Sequence, residues 1–174
     1  MCRIIQQVGP LLAREPAPRP EGAVERLWIV DGTLIPVRDR TVAASSRNYR
    51  FSANVQVVID ADTRLVVATA PPVAGNAADA HAFRDTGAQV CAGMTVLADG
   101  AHQGTGLVIP NRRRSKRPLL PIEEADNAEH RKVRARVERT FAHVKNYKIL
   151  RDCRQRGDGL HHAVARMHNL VLTT

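Results

Sequence analysis

The sequence is poor in aromatic residues and in cysteines, and each shortage excludes a class of protein. Its 174 residues include one Trp, two Tyr and three Phe, too few for a surface that recognises single-stranded nucleic acid by stacking bases on aromatic rings. The three cysteines, Cys2, Cys91 and Cys153, are scattered and show no C-x-x-C spacing. A disulfide framework and a zinc cluster are therefore not expected, and a reduced, cytosolic compartment fits best.

Long apolar runs and several common motifs are absent as well. No run approaches the roughly 18–20 apolar residues of a membrane span, and residues 1–16 are not followed by the small-residue cleavage site of a secretory signal. The sequence has no Gly-Lys-Ser/Thr phosphate loop, no dinucleotide-binding fingerprint and no Gly-x-Ser-x-Gly nucleophile elbow. With 44% hydrophobic residues, 11 Gly and 10 Pro, it is expected to fold as one globular domain of ordinary size.

Positive charge is abundant, and it is concentrated in one quarter of the chain. The formal net charge is +9. Residues 111–156 hold 15 Lys and Arg against six Asp and Glu, whereas the other 128 residues hold 11 of each sign. A basic block on a neutral body predicts binding to a polyanion, most simply nucleic acid.

The basic block begins with five cations in seven residues and continues on a predicted helix. The loop could hold DNA phosphates without reading bases, although a mobile charged loop is an equally good interpretation of this segment alone. The cations on the helix favour the first interpretation. We therefore predict that double-stranded DNA is bound by Arg112, Arg113, Arg114, Lys116, Arg117, Arg131, Arg134 and Lys145.

Hydrophobic periodicity predicts an α/β fold. Short apolar or alternating runs indicate strands, and apolar residues at spacings of three and four indicate helices. Strands are expected at 27–30, 51–60, 64–70, 94–98 and 107–110, and helices at 76–87, 127–147 and 159–172. This order predicts a mixed sheet flanked by helices in a single domain at 26–174, preceded by a leader or linker at 1–25.

Two of the apolar strands run into Asp-Gly, at Asp31-Gly32 and at Asp99-Gly100. We expect each strand to end there, because glycine permits a sharp turn that leaves the carboxylate at the rim of the sheet. Functional groups of open α/β sheets gather at the carboxyl ends of strands, so Asp31 and Asp99 would share a site suited to Mg²⁺. Asp-Gly is also a common turn dipeptide, and this simpler interpretation stays open.

Glu138 is the candidate for a third carboxylate. At about 100° per residue it lies at the border of the apolar stripe of its predicted helix, on the flank that holds Arg131, Arg134 and Lys145. It could point into a cleft while these cations contact phosphates. The alternative is a surface ion pair with Arg134, one turn earlier.

Three further aspartates are expected to have structural roles. Asp79, a rival of Asp99 for the second carboxylate, opens a helix and is predicted to cap it. Asp60 and Asp62 lie in the predicted hairpin turn at 60–63, where they are expected to be solvated.

Three segments together resemble the signature blocks of the DDE transposases of bacterial insertion sequences. They are Asp31-Gly32-Thr33 after an apolar strand, residues 97–104 (LADGAHQG), and Arg134-x-x-Val137-Glu138-Arg139-x-Phe141-x-x-x-Lys145. The closest likeness is to the group related to Harbinger-type transposases, whose pre-helical block and C-terminal helices resemble residues 75–80, 127–130 and 161–170. The likeness runs in the right order from about Leu27 to Leu172.

The resemblance implies a ribonuclease-H-like fold in which Asp31, Asp99 and Glu138 are the catalytic residues and hold two Mg²⁺ or Mn²⁺ ions. It implies a transposase that cleaves double-stranded DNA and transfers strands of an insertion sequence. It further implies a homo-oligomer that acts on the element ends and the target, in the bacterial cytoplasm at the nucleoid and without a membrane partner.

The chain departs from the family pattern at two places. His102 stands where a Tyr is common, and only about 30 residues precede Asp31, where the family usually carries a helix-turn-helix-type DNA-binding region. The chain would then be a truncated element, with residues 1–25 as the remnant of its N-terminal region, or one half of a split reading frame, and truncation could leave the enzyme inactive. The alternative function is accordingly a truncated or domesticated remnant that binds DNA without catalysis.

Overall fold

The computed structural model describes Gly22 and residues 25–37, 40–41, 43–47, 51–115, 117–146 and 160–173. Most of the predicted leader at 1–25 lies outside these residues. The elements are β1 (Leu27–Pro36), β2 (Ser52–Asp60), β3 (Val66–Thr69), β4 (Val73–Ala74), α1 (Asp79–Ala82) with the π-helical turn Phe83–Gly87 that follows it, β5 (Thr95–Leu97), α2 (Pro121–Asn146) and α3 (Leu160–Thr173).

The strands form one mixed sheet in the order β3-β2-β1-β5, with β4 paired to β2. Antiparallel pairing joins β1 to β2, and β2 to β3 and β4, whereas β5 runs parallel to β1. Beyond β5, Val108 forms a single parallel bridge with Leu97. The predicted strand at 107–110 is therefore reduced to this bridge, and the predicted mixed α/β sheet is confirmed.

The first strand does not end at Asp31, so the prediction of a turn there is wrong. Strand β1 continues to Pro36 because β2 pairs with it along its whole length, from Trp28 opposite Asp60 to Pro36 opposite Ser52. A polar residue in a central strand can keep its backbone hydrogen bonds, so it need not interrupt the ladder. The second Asp-Gly does follow a strand, because β5 ends at Leu97.

The core lies on both faces of the sheet. On one face, Ile29 packs among buried residues of β1, β2, β3 and β5, and Val133 of α2 and Met167 of α3 pack against this cluster. On the other face, Trp28 belongs to a cluster with Phe83 of the π-helical turn. Because side chains alternate between the two faces of a strand, the odd-numbered residues of β1 face α2 and α3. The even-numbered residues face the π-helical turn.

The hairpin between β2 and β3 contains a buried carboxylate. Asp60 is 1% exposed, and its Oδ1 accepts hydrogen bonds from the backbone N–H groups of Asp62 and Thr63 and from the Thr63 hydroxyl. Its Oδ2 pairs with Arg26 at 3.1 Å. The prediction that Asp60 is solvated is wrong, since a turn can enclose a carboxylate that satisfies its backbone donors. The prediction holds for Asp62, which is exposed.

Helix α2 begins at Pro121, six residues before its predicted start. Proline suits the first helical position because its missing N–H would have no partner there. Two residues later, Glu123 accepts a hydrogen bond from the backbone N–H of Leu120 at 2.8 Å, as in a capping box. These capping residues lie outside the apolar stripe, which explains why hydrophobic periodicity placed the start too late.

Candidate functional site

Asp31 and Asp99 lie side by side because β1 and β5 are parallel. Ile29 lies opposite Leu97 in this pair, and continuing the register by two residues sets Asp31 beside Asp99. The charge of Asp99 acts on Asp31 accordingly. The structure therefore brings together two of the three predicted carboxylates, on the face of the sheet that α2 covers.

Burial raises the pKa of Asp31 to about 6. Arg134 opposes this shift, whereas the negative charges of Asp99 and Asp79 add to it. A carboxylate is favoured in its charged form by cations and disfavoured by burial and by other anions. The raised pKa of Asp31 thus arises mainly from burial, which the positive charge of Arg134 offsets only in part.

Arg134 reaches Asp31 from helix α2. Its Nη2 lies 3.4 Å from Oδ2 of Asp31. The helix is held in place by Asn127, whose side chain accepts from the N–H of Asn111 at 2.7 Å and donates to its C=O at 2.9 Å. His130 Nε2 lies 3.2 Å from the Val108 carbonyl oxygen. These anchors turn one stripe of α2 towards the carboxyl end of β5.

Glu138 belongs to the same stripe. At about 100° per residue, Arg134 and Glu138 lie about 20° to either side of Asn127 around the helix. Glu138 is exposed, about 6 Å further along the axis than Arg134 at 1.5 Å per residue. In the part of the chain that the structure describes, no three His, Cys, Asp or Glu side chains form a group that could hold a metal ion. The role of Glu138 as third ligand stays a prediction.

Asp99 is held by its own loop. Its Oδ1 lies 2.8 Å from His102 Nδ1 and accepts a hydrogen bond from the Ala101 N–H at 2.9 Å. The hydrogen bond from His102 lowers the pKa of Asp99, and Ala101 and the charge of Arg134 act in the same direction against the effect of burial. The two neighbouring aspartates therefore differ, since the pKa of one is raised and that of the other is lowered.

Sequence reasoning missed the polar groups beneath this pair. His102 is fully buried, and its Nε2 lies 3.1 Å from Oε1 of Gln56, which is also fully buried. Asn54 and Gln56 donate to Asp79, at 2.8 Å and 3.5 Å. The available signal was the pair of amides at Asn54 and Gln56, two residues apart in the apolar run of β2, because spacing by two places both on one face.

Asp79 does not cap its helix, so that prediction is wrong. The N-cap of α1 is Ala78, and no side chain caps it. The carboxylate of Asp79 instead lies against Gly32, where an added Cβ would stand 2.1 Å from Oδ1. Asp79 accepts hydrogen bonds from the amide side chains of Asn54 and Gln56 in the sheet. These bonds are more favourable than one exposed capping hydrogen bond at the start of a single-turn helix.

The predicted DNA-binding residues fall into three groups. Arg112, Arg113, Arg114, Arg117 and Arg131 are exposed. Arg134 faces Asp31 instead of open solvent. Lys116 lies outside the described residues, as does the side chain of Lys145.

The basic loop is tied to the site and to helix α2. Arg112 Nη1 donates to Oε1 of Gln103, the residue after His102, at 3.3 Å. Arg117 pairs with Glu123 at 3.3 Å. The loop therefore connects the segment that carries Asp99 with the helix that carries Arg134.

The aspartate pair fits a hard divalent cation. Mg²⁺ and similar ions prefer carboxylate oxygens and often use only one or two from the protein. Asp31 and Asp99 provide such oxygens, and positive charge beside them would offset the repulsion by Asp99 that adds to the raised pKa of Asp31. Arg134 supplies part of that charge.

Comparison with known proteins agrees with this geometry. The sequence profile of the family described as "Transposase DDE domain" matches residues 22–172. A protein of Streptomyces albus G, named as a transposase for insertion sequence element IS112, is 54% identical over 176 residues, which cover 98% of this chain and 68% of that protein. No solved structure matches the chain.

The mixed sheet, the paired aspartates and these matches define a DNA-acting enzyme of the ribonuclease-H-like class. The chain belongs to the DDE transposase family of insertion sequences. The predicted fold class and the predicted transposase function are thereby confirmed, and divalent metal ions are the general cofactors of such domains. The narrower likeness to the Harbinger-related group stays a prediction. Among the described residues, no helix is long and apolar enough to cross a membrane.

Proposed function

We propose that residues 26–174 form the catalytic domain of a transposase in which Asp31, Asp99 and Glu138 hold two divalent metal ions, Mg²⁺ or Mn²⁺. The reaction is cleavage of DNA strands at the ends of an insertion sequence, followed by transfer of the freed 3′ ends into a target. The observation that carries the proposal is that Asp31 and Asp99 lie close together at the carboxyl end of β5, on the face of the sheet that α2 covers.

The residues of the chain have separate tasks in this reaction. When bound, the metal ions supply Lewis acidity and lower the pKa of the attacking water or hydroxyl group. Asp31 and Asp99 bind the ions from the sheet, and Glu138 binds from helix α2. Arg134 holds Asp31, and its buried Nε has no hydrogen-bond partner among the described residues.

The exposed cations hold the DNA backbone near the metal ions. Arginines in the loop at 112–117 and on α2 contact phosphates and give affinity without reading bases. Transposition must hold two element ends together with a target, so the active form is a homo-oligomer. A DNA substrate also implies action at the nucleoid in the bacterial cytoplasm.

Nicking of supercoiled plasmid in Mg²⁺ or Mn²⁺ tests the metal ligands. We expect D31N, D99N and E138Q each to lose about 100-fold or more of the activity, because even groups that only hydrogen-bond a metal ligand contribute about 10–100-fold. The matched controls D126N and E124Q neutralise exposed acids of α2 and should nick like the wild type. Equal nicking by the wild type, D31N and D99N would show that the site is elsewhere.

A second measurement tests whether Glu138 is a metal ligand, independently of Asp31 and Asp99. With Fe²⁺ in place of Mg²⁺, peroxide-driven cleavage of the polypeptide is expected near residues 31, 99 and 138. Cleavage near 31 and 99 alone would remove Glu138 from the set of ligands.

One observation favours the alternative, a DNA-binding remnant without catalysis. Arg134 already forms an ion pair with Asp31. Among the described residues, no three His, Cys, Asp or Glu side chains lie close enough together to bind a metal ion. The alternative predicts salt-sensitive DNA binding that survives D31N, D99N and E138Q, with no metal-dependent nicking by the wild type. The plasmid assay together with a DNA-binding titration therefore distinguishes the two functions.

A further inference from the structure

A continuous chain of buried hydrogen bonds connects Asp79 with Asp99. Asn54 Nδ2 donates to Asp79 Oδ1 at 2.8 Å, and Gln56 Nε2 donates to Asn54 Oδ1 at 3.1 Å and to Asp79 Oδ1 at 3.5 Å. Gln56 Oε1 lies 3.1 Å from His102 Nε2, and His102 Nδ1 lies 2.8 Å from Asp99 Oδ1. Since Gln56 and His102 are fully buried, bulk water does not compete for the contact between them, whereas the contacts at Asp79 and Asp99 are part-buried.

The carboxylate at one end of the chain fixes the direction of every hydrogen bond. A carboxylate of Asp79 can only accept, so the NH₂ group of Gln56 is turned towards it. The carbonyl oxygen of Gln56 is then turned towards His102, and Nε2 of His102 donates to it. Because Nδ1 also donates to the Asp99 carboxylate, both ring nitrogens are donors, which requires the doubly protonated ring in an ion pair with Asp99. The ring edge that carries Nδ1 therefore faces Asp99 in a fixed plane, which Phe83 supports by an edge-on contact at 6.0 Å between ring centroids.

This arrangement distinguishes the two oxygens of Asp99. Oδ1 accepts from His102 and from the Ala101 N–H. Among the described residues, no hydrogen-bond donor is assigned to Oδ2. The carboxylate is thereby held in one rotamer, with Oδ2 available to a cation.

We propose that His102 and Gln56 are positioning residues of the transposase site, which hold Asp99 in the rotamer that would leave Oδ2 available to a divalent metal ion. The proposal rests on the proposed role of Asp99 as a metal ligand. Partners that hydrogen-bond a metal ligand orient it, and their loss typically costs about 10–100-fold in metal affinity or activity. Neither residue contacts DNA or metal in this role, and His102 acts through Asp99 while Gln56 acts through His102.

Three variants test the chain at different points. H102F keeps a ring beside Phe83 and removes the donor to Asp99. H102N keeps a donor near the position of Nδ1. Q56M keeps the length of the side chain and removes the acceptor that orients His102. For each variant, the Mn²⁺ dependence of plasmid nicking and the binding of Mn²⁺ alone, followed by electron paramagnetic resonance, are measured with the melting temperature.

The expected result is an effect on metal affinity that follows the order of the chain. H102F should raise the Mn²⁺ concentration for half-maximal nicking, and the Kd for Mn²⁺, by about 10-fold or more. Q56M should raise both by a smaller factor, and H102N should remain within about threefold of the wild type. Q56M should add nothing in the H102F background, because its effect passes through the ring. If H102F does not fold, Q56M decides the matter by the same two measurements.

Two outcomes would overturn the proposal. One is a Mn²⁺ midpoint and Kd within twofold of the wild type in H102F and Q56M. The other is an equal impairment of nicking and Mn²⁺ binding in H102N and H102F, together with an equal loss of melting temperature. That result would indicate a purely structural role of His102. D99N distinguishes this failure from failure of the proposed function. If D99N keeps wild-type nicking and Mn²⁺ binding, Asp99 is not a metal ligand and the proposed function is wrong. If D99N loses both while H102F and Q56M keep them, only the positioning role is rejected.

Discussion

A side chain at position 32 would collide with Asp79, and this makes Gly32 part of the architecture of the site. A Cβ added to Gly32 would stand 2.1 Å from Asp79 Oδ1 and 2.8 Å from Gln56 Nε2. The strand is extended at this point, so the requirement for glycine arises from space and not from the backbone angle. Asp79 can approach β1 because the strand presents no side chain there.

We expect G32A to destabilise the protein by about 1–3 kcal/mol, the usual cost of inserting a methyl group into a packed region. The measurement is the free energy of unfolding from urea denaturation. G100A is the matched control, since a Cβ at Gly100 would meet nothing within 4 Å. Removal of the carboxylate in G32A/D79A should recover part of the loss. Equal stabilities of G32A and G100A would contradict the close approach.

Asp60 provides a pH-dependent test of the hairpin. Burial alone would raise the pKa of Asp60, but the hydrogen bonds from Thr63, Arg26 and Asp62 hold it below its usual value of 3.8. The unfolded chain therefore binds the proton more tightly. The stabilisation is fully present above pH 3.8 and is lost as the pH falls through the lower pKa of the folded state.

We expect D60N to lower the free energy of unfolding at pH 7 by about 2 kcal/mol, as for hydrogen bonds to a charged group. The difference between wild type and D60N should shrink as the pH falls from 5 to 3. Urea denaturation at each pH measures it. D62N, which changes an exposed neighbour, should cost about 0.5 kcal/mol or less, as for surface ion pairs. A difference that stays constant down to pH 3 would contradict the lowered pKa of Asp60.

The candidate site was only partly predictable at the scale of residues. Asp31 and Asp99 could be paired from sequence because each follows a short apolar run, although Asp31 lies within β1 and not at its end. His102 and Gln56 could not be paired, since their contact joins residues 46 positions apart. Such contacts depend on the register of β2 against β1, which a single sequence does not specify.

At the scale of elements, two asparagines attach the long helices to the sheet. Asn127 of α2 bonds the N–H and C=O of Asn111. Asn169 of α3 does the same with Val66, at 2.8 Å and 2.7 Å. The Asn169 amide thus takes the place of a neighbouring strand at the edge strand β3, whereas Asn127 ties α2 to the loop that follows the Val108 bridge. Paired hydrogen bonds of this kind fix the rotation of each helix as well as its position.

We expect N127A to lower the free energy of unfolding by about 1–3 kcal/mol, the net contribution of the two hydrogen bonds to Asn111 that are lost. Protection of the Asn111 amide against hydrogen exchange should fall as well. Nicking activity should drop, because the same stripe of α2 carries Arg134 and Glu138. N146A, on the exposed end of α2, is the matched control. Unchanged exchange at Asn111 in N127A would contradict the anchoring role.

The order of the elements could be predicted, but several boundaries could not. The alternation of apolar residues located β2 and β3, and spacings of three and four located α2 and α3. The end of β1 was missed because pairing with β2, a long-range interaction, carries the strand past Asp31. The start of α2 was missed because Pro121 and Glu123 determine it through capping, which leaves no hydrophobic signal.

At the scale of the whole molecule, opposite charges lie on connected segments. Asp31 and Asp99 concentrate negative charge at the carboxyl end of β5, and the exposed arginines of the loop at 112–117 follow directly in the chain. Arg112 contacts Gln103 next to His102, so the loop is adjacent to the segment that holds Asp99. A DNA backbone held by this loop would therefore pass the aspartates, where cations relieve the repulsion between carboxylate and phosphate.

This arrangement predicts how DNA affinity depends on salt. Each phosphate contact contributes about −0.9 to the slope of log K against log salt concentration, so R113Q/R114Q should make the slope shallower by about 2. The control R47Q/R84Q removes the same charge from exposed positions outside the block and should leave the slope unchanged. Fluorescence anisotropy with duplex DNA of two unrelated sequences measures both, and the loss should be equal for the two, because phosphate contacts read no bases. Equal slopes for the two double variants would mean that net charge, and not this loop, attracts the DNA.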